Sequence, residues 1–429
     1  MKLKIRNFAK ILKADIQING ITIIAGNNNI GKSTVGKILD AVFNATYNID
    51  EKMNKARIES LASILRSEVE SNSDKVNVRV RQYPFYIYRD FARKLLECKK
   101  EEQEQICKQY QNGILSKQKN EAGFEERIIG YLEENKQISD QTFSKAIYTN
   151  YFGEAFHEQI NSLYCQDEPA EITLSIKEKD IQLIFEENEC VQEKRNLEIF
   201  NNSLYIDDPF VLDEMNNNLP FGLSEISIHK RNILKKLMKK DDKEVEEKAF
   251  SDLLVAQKLE DIIQLIDRVA SGEIAKKQKY VYQWIEGSFK EIDVASLSTG
   301  LKAFLILKQL LLNGNLRDKD VIVLDEPEIH LHPEWQLLYA EIIVLLQKKF
   351  DFHIIVTTHS AHFMEALELY SKKYNIDSKC NYYLASLQDE GAVFENVTDD
   401  ISKIYRQMVD PMFLLSQLRE ELETEDDEL

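Results

Sequence analysis

The segment AGNNNIGKST, residues 25–34, constrains the fold of this 429-residue chain more than any other segment. It places Gly26, Gly31, Lys32 and Ser33 in the spacing G-x-x-x-x-G-K-S. The apolar run ITIIAG before the loop predicts a strand, and apolar residues recur at helical spacing after Lys32. Because a strand, a glycine-rich loop and a helix in this order are the context of a phosphate-binding loop, the sequence predicts a nucleotide site here.

Each part of this loop has a chemical reason to be there. Backbone N–H groups of such a loop and the N-terminus of its helix point at one place, which favours a bound phosphate. Lys32 supplies a positive charge, Ser33 a hydroxyl for Mg²⁺, and Asn29 tolerates the positive φ for which many such loops use glycine. On this segment alone, a purely structural turn stays open. The predicted nucleotide-binding residues are Gly26, Asn27, Asn28, Asn29, Ile30, Gly31, Lys32, Ser33 and Thr34.

Two apolar segments late in the chain end in residues suited to phosphate chemistry. In VIVLDEPE, four apolar residues lead to Asp325 and Glu326, the pattern of a buried parallel strand with two carboxylates at its carboxyl end. Because buried carboxylates need a cation, Asp325 is a candidate Mg²⁺ ligand and Glu326 a candidate base for an attacking water. A second strand, HIIV, leads to His359. Taken alone, these residues also fit an acidic surface and a solvated loop histidine.

The segment SLSTGLKAFLIL predicts a helix with an unobstructed start. Ser298 is a preferred N-cap residue, and Thr299 and Gly300 add little bulk next to it. A helix start attracts anions through its unpaired N–H groups and its dipole. We therefore predict that Ser298, Thr299 and Gly300 contact the nucleotide, while a simple capped helix remains the alternative for this segment taken alone.

Together, these segments resemble the motifs of the ATP-binding-cassette (ABC) ATPase head, in that family's order along the chain. GNNNIGKS is similar to its Walker A loop, LSTGLK to its signature, VIVLDE to its Walker B strand, PEIHLHPEWQ to its D-loop and His359 to its switch histidine. The resemblance implies ATP and Mg²⁺ as cofactors, with catalytic roles for Lys32, Glu326 and His359. It also implies a homodimer in which the Ser298 helix of one subunit closes on the γ-phosphate held by the other.

The sequence differs from the family motifs at three points, and the resemblance also implies a metal site. Thr299 replaces a glycine of the family signature, Leu301 replaces its glutamine, and no glutamine is recognisable as the Q-loop residue that completes Mg²⁺ coordination. The residues predicted to bind Mg²⁺ are therefore Ser33 and Asp325.

The spacing of the motifs indicates one branch of the family. Residues 34–297 separate Ser33 from Ser298, which is more than a transporter ATPase subunit usually has, and they lack the sustained heptads of an SMC-type coiled coil. This leaves the RecF and OLD-like branch, whose heads carry moderate insertions. The segments DEPEIHLHPEWQ and THSAHFMEALE most closely resemble those of the OLD-like ATPases of bacterial antiviral systems. Residues 360–429 contain no D-x-D pair, so no Toprim nuclease is expected. The resemblance then implies a stand-alone ATPase, as in Septu, PARIS and some retron systems.

The strand and helix patterns predict an α/β fold. MKLKIRNF, ADIQI, ITIIAG and SLYIDDPF predict strands, ITLSIKEKDIQLIFE predicts a hairpin, and KYVYQWIEGSFKEI predicts another that turns at Gly287. The last third alternates helices and strands, which indicates a mostly parallel sheet with helices on both faces, beside an antiparallel β subdomain. The expected domains are 1–48 (head, with Walker A), 49–160 (helical insertion), 161–221 (β subdomain), 222–272 (helical lid), 273–418 (head, with the other motifs) and 419–429 (acidic tail).

Composition limits the partners. The net charge of −18 argues against non-specific coating of nucleic acid, so any such contact needs a local basic patch. The longest apolar runs fall far short of the roughly 20 residues that cross a bilayer, and the chain opens with the strand-like MKLKI. Five scattered cysteines without C-x-x-C spacing indicate free thiols and no zinc site. We therefore expect a cytoplasmic protein without a membrane partner.

The leading hypothesis is an ABC-class switch ATPase that dimerises around ATP and controls a separate nuclease or toxin in antiphage defence. A RecF-like DNA-repair clamp and an ATP-binding scaffold with negligible turnover are the alternatives, and a higher oligomer stays open. His330 and His332 beside Glu328 form a weaker candidate metal site. A basic stretch forms either a partner surface or, as the preferred interpretation, a solvated helix face; it comprises Lys230, Arg231, Lys235, Lys236, Lys239 and Lys240.

Overall fold

A computed structural model describes residues 1–71, 84–113, 123–165, 167–216, 226–238, 258–284, 291–388 and 390–408. The chain divides into two compact units, one formed by Met1–Tyr47 with Asn150–Leu429 and the other by Asn48–Thr149. Gly287, Lys239, Lys240 and the acidic tail, to which sequence predictions were attached, lie outside the described residues.

The first unit is built on a large mixed sheet. Its strands lie in the order β6-β5-β4-β1-β2-β14-β13-β3-β12-β11-β7. A separate three-stranded antiparallel sheet has the order β10-β9-β8. The strands are β1 (Lys2–Phe8), β2 (Ile11–Gln17), β3 (Ile21–Ala25), β4 (Ala170–Ile176), β5 (Lys179–Glu186), β6 (Glu189–Arg195), β7 (Ser203–Ile206), β8 (Gly272–Lys276), β9 (Tyr280–Trp284), β10 (Glu291–Asp293), β11 (Val321–Asp325), β12 (His353–Thr358), β13 (Cys380–Gln388) and β14 (Gly391–Asn396).

The helices lie between these strands and in the second unit. They are α1 (Lys32–Thr46), α2 (Ile49–Ser71), α3 (Phe85–Glu97), α4 (Lys100–Gly113), α5 (Phe124–Gln137), α6 (Asp140–Phe156), α7 (Ile228–Met238), α8 (Thr299–Leu312), α9 (Pro333–Phe350) and α10 (Ala361–Lys373), with further helical residues at 258–267 and 402–408. No helix in the described part of the chain is long and apolar enough to span a bilayer.

The predicted α/β fold class is confirmed. Strands β13, β3, β12, β11 and β7 run parallel, and the apolar runs that predicted β3, β11 and β12 are buried along their lengths because both faces of this part of the sheet are covered. Strands β1, β2, β4, β5 and β6 pair antiparallel with one another. The antiparallel region is continuous with the parallel core in one sheet, since β14 joins β2 to β13.

The register of the parallel strands positions the site. Ala25 of β3 pairs with Thr358 of β12, and Asp325 of β11 pairs with Thr357. Leu324 of β11 pairs with Ile206, the last residue of β7. The carboxyl ends of these four strands therefore meet at one edge, which is the edge at which open parallel sheets bind ligands.

The second unit has a helical core of its own. Its helices α2 to α5 bury one apolar cluster, in which the rings of Phe91 and Tyr110 stack at 4.1 Å. The buried members of this cluster are Leu61, Ala62, Leu65, Tyr88, Phe91, Ala92, Leu95, Cys107, Phe124, Ile128 and Leu132.

Candidate functional site

The loop between β3 and α1 has the backbone of a phosphate cradle. Gly26 and Gly31 have φ of 148° and 93°, and Asn29 has the positive φ expected of it, 66°. A Cβ at Gly26 would lie 2.6 Å from the carbonyl oxygen of Ala385, so the loop can pass β13 only with glycine there. The side chains of Asn27, Asn28 and Asn29 are exposed, Ile30 is buried, and Ser33 and Thr34 are partly buried.

Lys32 is the first residue of α1 and only 3% exposed. Its ammonium donates hydrogen bonds to the carbonyl oxygens of Gly26 (2.9 Å) and Asn27 (2.8 Å). Its Nζ also lies 3.5 Å from Oε1 of Glu326. The buried charge is therefore directed into the loop and towards the end of β11.

A neighbouring lysine, which the sequence did not single out, contacts the same loop. Lys10 lies in the turn between β1 and β2, and its Nζ donates to Oδ1 of Asn29 at 2.5 Å. A Cβ at Gly31 would lie 3.3 Å from the side chain of Ile11. The β1–β2 turn thus packs against the loop and brings a second positive charge to its tip.

Asp325, the last residue of β11, is held by hydroxyl groups from both flanking strands. The phenol of Tyr205 in β7 donates to Oδ2 at 2.5 Å, and the hydroxyl of Thr357 in β12 donates to Oδ1. Burial and the Asp325 carboxylate raise the pKa of Tyr205 well above its usual value, so the phenol stays protonated and donates. Tyr205 was not predicted to belong to the site.

Glu326 lies next to Lys32 and His359. It adopts a left-handed φ of 48°, and its N–H donates to Oγ1 (3.0 Å) and O (3.1 Å) of Thr357. Its Oε1 is 3.5 Å from Nζ of Lys32 and 3.5 Å from Nδ1 of His359. The structure thus brings the three predicted catalytic side chains together at the sheet edge.

Glu328, which the sequence placed in the D-loop segment, faces this group from the buried side. It is 2% exposed, and its Oε1 accepts from Oγ1 of Thr358 (2.5 Å) and from the N–H of His359 (3.3 Å). The same oxygen lies 3.8 Å from Nδ1 of His359. Burial raises the pKa of Glu328, and the Thr358 hydrogen bond partly opposes this. Glu328 therefore fixes the backbone of His359 and lies close to its ring.

The predicted signature residues begin α8 as expected. Ser298 is the N-cap residue, with extended backbone and an exposed side chain. A Cβ at Gly300 would lie about 3.0 Å from the ring of Trp335 and 3.1 Å from the carbonyl oxygen of His330, so α8 begins in close contact with the segment after β11. Within the described ranges, no hydrogen bond or ion pair links Ser298, Thr299 or Gly300 to the loop of Lys32.

A buried lysine anchors the start of α8. Lys302 is 1% exposed, and its Nζ lies 2.6 Å from Oδ1 of Asp213 and donates to the carbonyl oxygen of Ala295 at 2.9 Å. It also lies 5.1 Å from the centre of the Phe210 ring. No sequence pattern pointed to this role, because lysine side chains are almost never fully buried unless they are paired.

The donor groups fit a Mg²⁺ ion that binds together with nucleotide. No group of three or more His, Cys, Asp or Glu side chains in the described ranges could hold a metal ion alone. Mg²⁺ is usually held by one or two protein oxygens and by substrate phosphates, which matches the Ser33 hydroxyl and the Asp325 carboxylate. The alternative site at His330 and His332 is not formed, because Glu328 faces Thr358 and the ring of His330 packs edge-on against Phe210.

Three of the four described residues of the basic stretch make contacts within the molecule, and Lys235 is exposed. Lys230 pairs with Asp208 at 2.7 Å, Arg231 pairs with Glu154, and Lys236 donates to the carbonyl oxygen of Asn315. These contacts fit the interpretation of this stretch as a helix face balanced by acidic neighbours.

Comparisons with known proteins found similar solved structures and one matching family profile. The chain resembles the SMC head domain from Thermotoga maritima (11% identity, TM-score 0.38, covering 92% of this chain and 98% of that one). It also resembles an Smc head bound to the C-terminal winged-helix domain of ScpA (13%, 0.43, 94% and 98%) and the ADP conformation of an ATP-binding cassette of an ABC transporter (12%, 0.35, 97% and 99%). The sequence profile of the AAA ATPase domain matches residues 1–364, and the chain belongs to this AAA ATPase domain family.

Proposed function

We propose that this protein binds and hydrolyses ATP and uses the nucleotide as a conformational switch. The observation that carries the proposal is the position of Oε1 of Glu326, which lies 3.5 Å from Nζ of Lys32 and 3.5 Å from Nδ1 of His359 at the carboxyl edge of the parallel strands. A cation, a carboxylate and an imidazole in one place provide the groups needed to hold a γ-phosphate and to direct a water molecule at it.

The binding roles follow from the geometry of the loop. Lys32 now donates to two loop carbonyl oxygens, and a phosphate oxygen in the cradle would be a charged acceptor for the same ammonium. Ser33 and Asp325 would hold Mg²⁺, which supplies charge neutralisation for the β- and γ-phosphates when bound. Lys10, through Asn29, is close enough to the loop tip to add to the positive field.

The hydrolytic roles follow from the positions of Glu326 and His359. Glu326 accepts a proton from the attacking water. The oxygen of that water forms a bond to the γ-phosphorus while the bond from the γ-phosphorus to the ADP oxygen breaks. The side chain of His359 is 39% exposed, its Nδ1 lies 3.5 Å from Oε1 of Glu326, and its backbone N–H donates to Glu328, so its imidazole is accessible to a phosphate bound beside Glu326. His359 thereby contacts the γ-phosphate and responds to its loss.

A second copy of the chain would complete the site. Ser298 is exposed at the start of α8. Three large apolar side chains on the segments that contact this part of α8 are also exposed: Phe210 (46%), Ile329 (52%) and Leu337 (47%). We call these four residues the signature surface. In a two-fold dimer this surface of one subunit faces the Lys32 loop of the other, which agrees with the absence of a hydrogen bond or ion pair between Ser298 and that loop within the described residues of one chain.

The proposed biological role is control of a separate effector, a nuclease or toxin, in antiphage defence. One support is the amino-acid sequence of the D-loop and switch segments. The other is the separate helical core of Asn48–Thr149, a unit that contains none of the proposed hydrolytic residues. That unit is the proposed docking site for the effector.

The dimer is tested with the Glu326→Gln protein by light scattering. We expect a monomer without nucleotide and a dimer, or a multiple of it, with ATP and Mg²⁺. The matched variant Glu260→Gln, which changes an exposed carboxylate in the helical residues 258–267, should dimerise only transiently, as the wild type does. A Glu326→Gln protein that is saturated with ATP and still monomeric would contradict the proposal.

The role in defence is tested by co-expression with the protein encoded in the neighbouring open reading frame. We expect a stable complex whose toxicity depends on Glu326 or His359, while the ATPase alone leaves DNA and RNA intact. Cleavage of nucleic acid by the pure chain would refute this division of roles. Turnover that DNA stimulates would favour the RecF-like clamp, and turnover that Glu326→Gln leaves unchanged would favour the scaffold.

A further inference from the structure

Tyr205 occupies a position where its ring has little freedom. It lies in β7, the terminal strand of the large sheet, and is 1% exposed. A Cβ at Gly36 of α1 would be 3.2 Å from its ring, and the ring of His229 in α7 packs edge-on against it at 5.1 Å. The ammonium of Lys37 lies 5.6 Å from the ring centre. Helices α1 and α7 thus fix the ring, and the direction of its O–H follows.

That O–H is directed at the proposed Mg²⁺ ligand. It donates to Oδ2 of Asp325 at 2.5 Å, while Oδ1 accepts from the hydroxyl of Thr357. A carboxylate has about four lone-pair sites, so these two hydrogen bonds leave further lone pairs for a cation. The two strands that flank β11 therefore each hold one oxygen of Asp325.

The tyrosine hydroxyl is not explained by packing alone. A phenylalanine would fill the same space between α1 and α7, but it would leave Oδ2 of Asp325 without this donor. Outer hydrogen bonds of this kind fix the direction of a metal-ligating side chain, and their removal typically lowers metal affinity about 10- to 100-fold.

We propose that Tyr205 is a positioning residue for the metal–nucleotide complex: its O–H, together with that of Thr357, holds the Asp325 carboxylate in the orientation that binds Mg²⁺. This inference rests on the proposed function, because it needs a metal-dependent nucleotide site at Asp325. It adds a residue that lies outside the loop and the strand-end motifs, and it connects the metal site to α7 through His229, which pairs with Asp207 at 3.1 Å.

The test measures binding of a fluorescent ATP analogue to the full chain as a function of Mg²⁺ concentration, and Mn²⁺ binding in the presence of nucleotide by electron paramagnetic resonance. Tyr205→Phe should raise the half-saturating metal concentration about 10- to 100-fold, with nucleotide affinity in EDTA unchanged. The matched control is Tyr339→Phe, which removes a hydroxyl from another tyrosine that is 1% exposed but lies in α9, away from Asp325; its metal curve should be that of the wild type.

Thr357 provides a second, independent variant. Thr357→Ser keeps the hydroxyl and should keep the metal curve, whereas Thr357→Val removes it and should shift the curve in the same direction as Tyr205→Phe. An unchanged metal curve in folded Tyr205→Phe would overturn the inference, and so would equal curves for Thr357→Val and Thr357→Ser. Failure of the proposed function is distinguishable, because then the wild type itself would bind nucleotide without metal dependence or not at all.

Discussion

The ammonium of Lys32 and the carboxylate of Glu326 lie 3.5 Å apart, although one begins α1 and the other follows β11. Parallel pairing of β3, β12 and β11 brings their carboxyl ends to one edge, and the φ of 48° at Glu326 turns the chain there. The two residues that we assign to phosphate binding and to proton transfer are therefore neighbours, and their roles have to be separated by experiment.

Substitution at these two positions should have different effects. Lys32→Ala should abolish ATP binding, because it removes the buried positive charge of the cradle. Glu326→Gln should keep ATP binding and lower turnover by roughly 10²- to 10⁴-fold, the usual contribution of a general base. Filter binding of labelled ATP and phosphate release measure the two effects.

The control for this pair is Glu260→Gln, which changes an exposed carboxylate in the helical residues 258–267 and should leave both binding and turnover unchanged. Turnover near the wild-type rate in Glu326→Gln would remove Glu326 from the proposed mechanism. Retained ATP binding in Lys32→Ala would remove the lysine from the proposed cradle.

The signature surface gives a prediction about two subunits. Ser298→Arg places a bulky charge on an exposed helix start and should spare ATP binding by one subunit while blocking dimer closure. A heterodimer of Ser298→Arg and Lys32→Ala has one site with both lesions and one with neither. ATPase activity should therefore reappear when the two inactive proteins are mixed, to a level set by the fraction of heterodimer.

The mixture is compared with each variant alone and with Ser63→Arg, which puts the same charge on an exposed position of α2 and should not affect turnover. A mixture that stays inactive although heterodimers are isolated would be incompatible with a site shared between subunits.

The parallel core of the fold could be predicted because its strands are short, apolar and followed by recognisable motifs. β3, β11 and β12 are buried on both faces, so their sequences are almost uninterrupted runs of apolar, mostly β-branched residues. Strands β6, β8, β13 and β14 were not predicted. β6 is polar because it lies at the edge of the sheet, and β13 pairs with β3, more than three hundred residues earlier in the chain.

The contacts in the interior of the site could not be predicted without knowledge of the strand order. Asp325 and His359 could be predicted from the local sequence, because each is a chemically reactive residue type that follows an apolar run. The contact of Tyr205 with Asp325 depends on β7 lying beside β11, and that of Glu328 with Thr358 depends on β12 lying on its other side. No local pattern encodes which strands are neighbours, so Tyr205 was missed, and the contact of Glu328 with Thr358 was not predicted.

Two glycines in helices have different surroundings, Gly36 in α1 and Gly153 in α6, and alanine should have opposite effects on stability at the two positions. A Cβ at Gly36 would lie 2.5 Å from the side chain of Val323 and 3.2 Å from the ring of Tyr205. Gly36→Ala should therefore cost about 1 to 3 kcal/mol through overpacking. At Gly153 in α6 no described residue outside the backbone of that helix lies within 4 Å of the added carbon, so Gly153→Ala should stabilise the protein by about 0.5 to 1 kcal/mol. Thermal unfolding of both variants checks this; a Gly36→Ala protein as stable as the wild type would show that α1 can move away from the sheet at no cost.

A buried carboxylate on α1 gives the protein a pH-dependent stability. Asp40 is 5% exposed, and burial raises its pKa from 3.8 to about 6, against the effects of Ser203, His229 and Asn44. Because the folded-state pKa is the higher one, the contribution of Asp40 to stability is fully present below about pH 4 and is lost as the pH rises through about 6.

Asp40→Asn should remove this dependence. At pH 7.5 the variant should be more stable than the wild type by about 3 kcal/mol, the free energy that corresponds to a shift of this size, and the difference should shrink as the pH approaches 4. Urea unfolding at several pH values measures the difference, with Asp399→Asn as the control because that carboxylate is exposed. A difference in the free energy of unfolding between Asp40→Asn and the wild type that is the same at every pH would contradict this prediction. It would show that the pKa of Asp40 is the same in the folded and the unfolded protein.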